Sequence, residues 1–247
     1  MTAGLLARGQ PDAETLLAMW ERGLAYAPLG RSDAMLQQLD PAAAPQTLGV
    51  RNRCLIDLHA RLFGDELKLT SHCPKCGATV EFSSHCCVLI GDGGGPRPAE
   101  VEHLEVAPFE IGFRLPDRSD VAMASIDGDD EEFARRLIHR CVVSASRAGE
   151  AIATADLPDT VLDAVSRRIE ALDPLALVSF SLECPECATP WSAALDVDSL
   201  LWTKVQAAAE RLLLDVDALA RTYGWTEPEV LALTPSRRAA YLQLAGA

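Results

Sequence analysis

Two short cysteine motifs are the part of this sequence best suited to chemistry. Cys-Pro-Lys-Cys occupies positions 73–76 and Cys-Pro-Glu-Cys occupies positions 184–187. A gap of two residues lets both thiolates of a turn face one point, and structural zinc takes four such ligands in a tetrahedron. One motif supplies only two ligands, so the pair predicts one structural Zn²⁺ shared by both motifs. The predicted metal ligands are Cys73, Cys76, Cys184 and Cys187.

The separation of the two motifs predicts an unusual architecture. Just over a hundred residues lie between them, whereas paired motifs of this kind are commonly about 15–20 residues apart. Apolar and polar residues alternate around the first turn, with Leu67 and Leu69 before it and Val80 and Phe82 after it, which predicts a β-hairpin. The second motif has the same texture. We therefore predict a split zinc ribbon with a long α+β insertion between its two knuckles.

The cysteines allow two other interpretations. Cys86 and Cys87, with His72 and His85 nearby, could complete a local metal site with the first motif, but this would leave the second motif without a metal. Either Cys-x-x-Cys pair could instead be a redox motif. Such motifs usually open a helix, whereas predicted strands flank both motifs here. Cys54 and Cys141 lie on apolar faces of predicted helices and are interpreted as ordinary buried cysteines.

The remaining polar motifs do not predict a catalytic site. The glycine-rich segment 91–98 lacks the Lys-Ser/Thr of a phosphate loop and is interpreted as a linker. The acidic run 127–132 lacks the spacing of a calcium loop and is interpreted as the start of a helix. The histidines are isolated, and a zinc ion with four thiolate ligands has no open position for substrate. We expect no enzymatic activity and no small-molecule substrate.

The elements around the motifs predict the α+β class, with helical N- and C-terminal segments. Apolar residues recurring every three or four positions predict helices at 12–28, 32–39, 49–63, 130–145, 159–171 and about 198–222, with two short helices after the last. Alternating residues at 101–115 predict two strands. The predicted segments are 1–66 (helical), 67–90 (first half-ribbon), 91–175 (α+β insertion), 176–197 (second half-ribbon) and 198–247 (helical).

Composition argues against two classes of partner. The net charge is −14, and the longest basic run is a pair of arginines. Nucleic-acid binding usually needs a basic surface that neutralises phosphates. The chain has no apolar run of the roughly 18–20 residues that cross a bilayer, and its N-terminus does not look like a signal peptide. We expect a cytoplasmic protein that binds neither nucleic acid nor membrane.

Several patterns occur together in an order that matches one known family. They are Leu-x-Met-Trp-Glu-Arg-Gly at 17–23, Arg-Asn-Arg-x-Leu-x-x-Leu at 51–58, Leu-Phe-Gly at 62–64, both cysteine motifs, Val-Glu-Phe at 80–82, Arg-Leu-Pro at 114–116, Asp-Pro at 173–174, Leu-Trp at 201–202, Tyr-Gly-Trp-Thr-Glu at 223–227 and Leu-x-Leu-Thr-Pro at 231–235. The chain resembles the T-even-type baseplate hub assembly chaperone family, found in contractile-tailed phages, prophages and phage-like contractile injection systems.

The resemblance implies a non-enzymatic role in assembly. Its expected partners are the hub or spike proteins of a contractile tail baseplate, met in the cytoplasm or inside the assembled particle. The chain departs from the family pattern at Ala188, where glycine is usual and some strain is expected, and in carrying Cys86 and Cys87.

The tail after the long helix is the candidate surface for a partner. Its candidate anchors are Trp225, Leu231, Leu233 and Tyr241. The alternative is that these residues simply pack on the long helix. The rival function is a zinc-ribbon regulator that binds nucleic acid, which would require a basic surface.

Overall fold

The computed structural model describes residues 11–39, 46–91, 99–125 and 130–246, and these residues confirm the mixed α+β class. The helices are α1 (Ala13–Leu24), α2 (Arg31–Leu39), α3 (Leu48–Phe63), α4 (Cys86–Ile90), α5 (Arg118–Ala124), α6 (Asp130–Cys141), α7 (Asp159–Leu172), α8 (Val197–Tyr223), α9 (Glu227–Leu231) and α10 (Pro235–Ala245). The strands are β1 (Glu66–His72), β2 (Thr79–His85), β3 (Glu102–Val106), β4 (Phe109–Phe113), β5 (Val142–Arg147), β6 (Glu150–Ala151), β7 (Ser179–Glu183) and β8 (Pro190–Ala194).

The chain divides into two compact units. The terminal unit comprises Met1–Ala43, Leu55–Glu66 and Asp196–Ala247, and the central unit comprises Ala44–Cys54 and Leu67–Leu195. All four cysteines of the two motifs belong to the central unit, whereas the candidate anchors of the tail belong to the terminal unit. The five segments predicted from the sequence stay predictions.

Helix packing builds the terminal unit. The Asp12 side chain accepts a hydrogen bond from the Thr15 backbone at 2.8 Å and so begins α1, which ends at Leu24 rather than at the predicted position 28. Leu17 of α1 packs with Ala209 and Leu212 of α8. The period of three and four residues predicted for α8 therefore serves to bury this face.

Capping motifs determine where the last three helices begin and end. Gly224 ends α8 in the left-handed conformation, at φ 70°. Thr226 and Glu229 form the predicted capping box at the start of α9, and the Thr234 hydroxyl accepts from the Arg237 backbone at the start of α10. Short-range sequence signals of this kind need no tertiary information, and the prediction of this tail is confirmed.

A four-stranded antiparallel sheet, in the order β3-β4-β5-β6, contributes to an apolar core of the central unit. Ile111 and Phe113 of β4 pack against Val161 and Val165 of α7. The predicted helix at 130–145 is wrong over its last four residues, because α6 ends at Cys141 and the chain continues directly into β5. The β-branched pair at 142–143 favours a strand, and pairing with β4 supplies the hydrogen bonds that a helix would have made.

A buried carboxylate joins three elements of the central unit. Asp120 of α5 is fully buried and takes two hydrogen bonds from the Arg114 guanidinium, at 2.6 and 2.8 Å. Arg140, near the end of α6, approaches the same carboxylate at 3.2 Å. Asp120 also closes a capping box with Asp117. The network ties the end of β4 to α5 and α6, and α5 itself was not predicted.

A second buried carboxylate caps α3. Asp173 accepts a hydrogen bond from the Gly49 backbone at 2.9 Å, in the first turn of the helix. Burial raises the pKa of Asp173, although the hydrogen bonds from Gly49 and Thr47 oppose this change. A Cβ atom added at Gly49 would overlap the carboxylate, so only glycine allows this close approach.

We therefore expect Gly49→Ala to lower the free energy of unfolding by about 2–3 kcal/mol, through overpacking and loss of the cap. Thermal or denaturant unfolding measures the change. Gly30→Ala is the matched control, because its Cβ would meet Tyr26 no closer than 3.4 Å. The double variant Gly49→Ala/Asp173→Ala should cost clearly less than the sum of the single changes, because the overlap disappears. Additive costs would contradict the clash.

No helix among the described residues is both long enough and apolar enough to cross a membrane.

Candidate metal centre

Two hairpins of matching design carry the four cysteines. In the first, between β1 and β2, Cys73 N–H donates to the Ala78 carbonyl and Gly77 N–H donates to the Cys73 carbonyl, each at 2.9 Å. In the second, between β7 and β8, Cys184 N–H donates to Thr189 at 3.0 Å and Ala188 N–H donates to Cys184 at 2.8 Å. The two turns therefore share the same pattern of backbone hydrogen bonds around their first cysteine.

The structure brings the four predicted sulfurs together across more than a hundred residues of sequence. All lie within 4.8 Å of one another. The closest pairs cross between the hairpins: Cys73 to Cys187 at 3.7 Å and Cys76 to Cys184 at 3.5 Å. These distances exclude disulfides, whose sulfurs are about 2.05 Å apart. A tetrahedral metal ion with metal–sulfur distances of about 2.3 Å needs sulfurs about 3.8 Å apart, so the cluster has the dimensions of a metal site.

Side-chain packing holds the hairpins against each other. Phe82 of β2 and Phe180 of β7 make an edge-to-face contact with ring centroids 5.1 Å apart. The Trp191 indole N–H donates to the Ser71 hydroxyl at 3.4 Å. The sulfur cluster therefore has a preformed support that involves all four strands.

The environment of the four thiols is unequal. Cys73 and Cys184 are buried, Cys187 is half-buried and Cys76 is exposed. A hydrogen bond with the Thr189 hydroxyl, at 3.3 Å from sulfur to oxygen, lowers the pKa of Cys187. The corresponding residue of the first knuckle is Ala78, which has no hydroxyl to offer. Because Cys76 is the one exposed member of the four, its thiol has the greatest access to solvent.

The pKa values of Cys73 and Cys76 shift in opposite directions. Backbone hydrogen bonding from Cys76 lowers the pKa of Cys73 to about 6. The Ala78 backbone acts to lower the pKa of Cys76, but contacts with the Cys184 and Cys187 sulfurs, together with burial, outweigh it and raise this pKa to about 12. Thiols this close cannot all carry negative charge unless a cation lies between them. The donor set is therefore suited to a metal cation.

Both knuckles need a left-handed residue after the second cysteine. Gly77 has φ 75° and Ala188 has φ 52°. A side chain at such a φ costs about 1–2 kcal/mol, whereas glycine adopts it without a steric penalty. Ala188 therefore adopts the left-handed conformation, which is the source of the strain expected from the sequence.

We expect Ala188→Gly to stabilise the protein by about 1 kcal/mol and Gly77→Ala to destabilise it by a similar amount. A Cβ at Gly77 would meet nothing within 4 Å, so backbone strain alone should set the cost there. Each change should move the thermal midpoint by roughly 2–4 °C in opposite directions, measured at a constant metal concentration. A shift of both variants in the same direction would contradict the strain argument.

The other cysteines lie outside the cluster. Cys86 and Cys87 begin α4 and are not among the four grouped sulfurs, so the described residues give no support to a local site built on the first motif. Cys141 is fully buried, and burial raises its pKa to about 12. Cys54 is only half-buried, so the prediction that it is a buried cysteine is wrong. Its thiol lies 3.6 Å from the Gln46 side-chain oxygen.

The glycine-rich segment and the acidic run both lie partly outside the described residues. The glycine-rich segment is described only at its first residue, Gly91. The acidic run is described from Asp130, where α6 begins.

The candidate anchors of the tail separate into two groups. Leu231 packs against the core around Leu17, as the packing alternative foresaw. Trp225, Leu233 and Tyr241 instead line an open groove of about 190 Å³, together with Glu229 and Arg237. Tyr223 stacks on Trp225 with centroids 4.8 Å apart, and Tyr241 meets Trp225 edge-on at 4.8 Å.

The sequence did not indicate the residues that support the cluster. Ser71 and Trp191 are too far apart in sequence for any local pattern to pair them. Thr189 could have been identified from its position two residues after a ligand, where its backbone also closes the turn.

Comparison of the chain with models of protein families, with curated proteins and with solved structures finds no match.

Proposed function

We propose that this protein is a non-enzymatic, zinc-stabilised binding protein that contacts hub or spike proteins during assembly of the baseplate of a contractile phage tail or phage-like injection system. The observation that carries the proposal is the four-cysteine cluster, which unites the two motifs. The resemblance stated from the sequence supplies the biological setting.

Zinc is the metal that we propose for the cluster. Four thiolates in a tetrahedron suit zinc, and iron is the main competitor for such a donor set. Cys73, Cys76, Cys184 and Cys187 would hold it, and the two hairpins would then form a split zinc ribbon. The ion would cross-link distant segments of the chain and supply no chemistry to a substrate, because four thiolates fill its coordination shell. Its role would be structural.

The open groove of the terminal unit supports a binding role. Trp225, Leu233 and Tyr241 are half-buried, and Tyr223 keeps 37% of its surface exposed. Aromatic side chains on a well-supported surface are typical of contacts that dominate protein interfaces. We propose Trp225, Leu233 and Tyr241 as the partner contact. Leu231 packs against the core and is not part of this contact.

Co-expression with the hub and spike proteins of the same tail gene cluster tests the proposal. The full chain should co-purify with at least one of them, and Trp225→Ala should reduce the recovered partner, while Tyr26→Ala, at an exposed aromatic residue outside the groove, should not. If the chain forms a complex with none of the baseplate proteins encoded in that gene cluster, the proposal is contradicted. A titration with duplex DNA at low salt tests the rival function, because binding of a regulator would be tight and strongly salt-dependent.

A further inference from the structure

The helices that carry the groove are held by buried contacts as well as by its rings, where the Tyr223 hydroxyl donates to the Tyr241 carbonyl at 3.4 Å. Val230 of α9 is completely buried. Arg238 of α10 pairs with Asp215 of α8 at 3.2 Å, and both side chains are mostly buried. Capping groups hold the start of α9 and α10. Contacts away from the groove therefore help to hold the tail, and Trp225, Leu233 and Tyr241 remain only half-buried.

The two charged residues in the groove differ in what they already bind. Glu229 accepts from both the backbone and the hydroxyl of Thr226, each at 2.8 Å, and these hydrogen bonds lower its pKa. Drawing Glu229 toward a cationic ligand would weaken the cap of α9. Within the described part of the chain, the Arg237 guanidinium has neither an ion pair nor a hydrogen bond. An anionic ligand could use Arg237 without breaking an existing contact.

The uncharged polar groups of the groove point to the same ligand chemistry. The Trp225 indole N–H is a donor and the Tyr241 hydroxyl can donate, and neither group makes a hydrogen bond within the described residues. The Arg237 guanidinium adds further donors. The groove therefore offers several free donors beside apolar ring faces, and one oxygen of the Glu229 carboxylate, Oε2, is already engaged.

We propose that this groove binds an acidic peptide segment, with one apolar side chain against Trp225, Leu233 and Tyr241 and a neighbouring carboxylate paired with Arg237. The inference rests on the proposed binding function and names the chemistry of the partner segment. The volume of about 190 Å³ suits a single anchoring side chain rather than a folded domain. Guanidinium–carboxylate pairing supplies the selectivity, because a charge-assisted hydrogen bond is stronger than a neutral one. Screening should be incomplete, because the contact is far shorter than the Debye length of about 8–10 Å.

Two synthetic peptides test the proposal on the full chain: acetyl-Ser-Asp-Leu-Asp-Ser-amide and the same peptide with asparagine in place of both aspartates. Nuclear magnetic resonance of the ¹⁵N-labelled protein would follow the indole signal of Trp225, identified by its loss in Trp225→Phe. The acidic peptide should shift this signal, and its Kd should be at least about fivefold lower than that of the asparagine peptide. Arg237→Gln should remove the difference, whereas Arg221→Gln should keep it, because Arg221 is paired with Asp217 on α8.

Three outcomes would overturn the proposal: no shift of the Trp225 signal at millimolar peptide, equal affinity for the two peptides, or unchanged selectivity in Arg237→Gln. Failure here is distinguishable from failure of the proposed function. If a complex with a hub or spike protein forms while any of these three outcomes holds, the assembly role stands and only the acidic-peptide proposal fails.

Discussion

Removing the proposed metal ion with a chelator is expected to open the two cysteine hairpins while the four-stranded sheet of the central unit keeps its fold. Structural zinc in small domains contributes roughly 10–16 kcal/mol of apparent binding free energy, which is folding free energy for the segments it joins. The sheet has its own apolar core, formed by residues such as Ile111, Phe113 and Val165. Metal loss should therefore act locally first.

Trypsin provides a sensitive measure of this local opening. Lys75 lies between two of the four cysteines in the first turn and is an exposed residue. Metal should hold the Lys75–Cys76 bond in a turn that a protease cannot extend, so chelation should accelerate this cleavage by at least about tenfold. Cleavage after Arg211, within the long helix α8, is the internal control and should change little. Equal cleavage rates at Lys75 with and without chelator would contradict a structural role for the metal.

Asp120→Asn is expected to lower the free energy of unfolding by about 3 kcal/mol, the cost typical of removing one partner from a buried ion pair. The carboxylate is completely buried, whereas the Arg114 and Arg140 side chains keep 32% and 38% of their surface exposed. Their partial hydration should limit the loss to the lower part of the usual range. Denaturant unfolding measures it.

The pH dependence of this network follows from the pKa of Asp120. Burial acts to raise this pKa, but hydrogen bonds from Arg114 and the Asp117 backbone prevail and lower it below the ordinary value of 3.8. The stabilisation is therefore complete above about pH 4 and is lost as the pH falls through the lowered pKa. Asp120→Asn should remove this part of the acid sensitivity.

Asp217→Asn is the control for the loss of a surface carboxylate. Asp217 pairs with Arg221 at 2.9 Å, but both side chains are largely exposed, at 55% and 78%. Exposed pairs contribute little, so the expected change is below about 0.5 kcal/mol. Equal effects of Asp120→Asn and Asp217→Asn would contradict the structural importance of the buried network.

Local sequence signals predicted the elements whose ends depend on residues close by in the sequence, such as helix caps and the cysteine turns. The capping residues and apolar stripe of α8 gave its bounds to within one residue. The cysteine spacing predicted which four sulfurs would meet, because the two-residue gap and the need for four ligands are chemical requirements. The turn at Ala188 was also foreseen from the departure from glycine.

Features that depend on distant partners were not predicted. The β-strand after α6 replaces a predicted helix because its partner strand, β4, lies about thirty residues earlier in the chain. The role of Asp120 depends on Arg114 and Arg140, which no local pattern groups with it. The groove could be predicted only in part, because sequence periodicity could not distinguish Leu231, which faces the core, from Leu233, which lines the groove.

Metal analysis of purified protein tests the central claim, that both cysteine motifs share one structural zinc ion. The account predicts one zinc per chain in the wild type, none in Cys184→Ser or in Cys76→Ser, and one in the control Cys87→Ser, whose thiol is exposed and lies outside the cluster. Cys76 is the exposed member of the cluster, so its replacement keeps the test available if Cys184→Ser fails to fold. Iron in place of zinc, or a full zinc ion retained after the change at Cys184, would contradict the account.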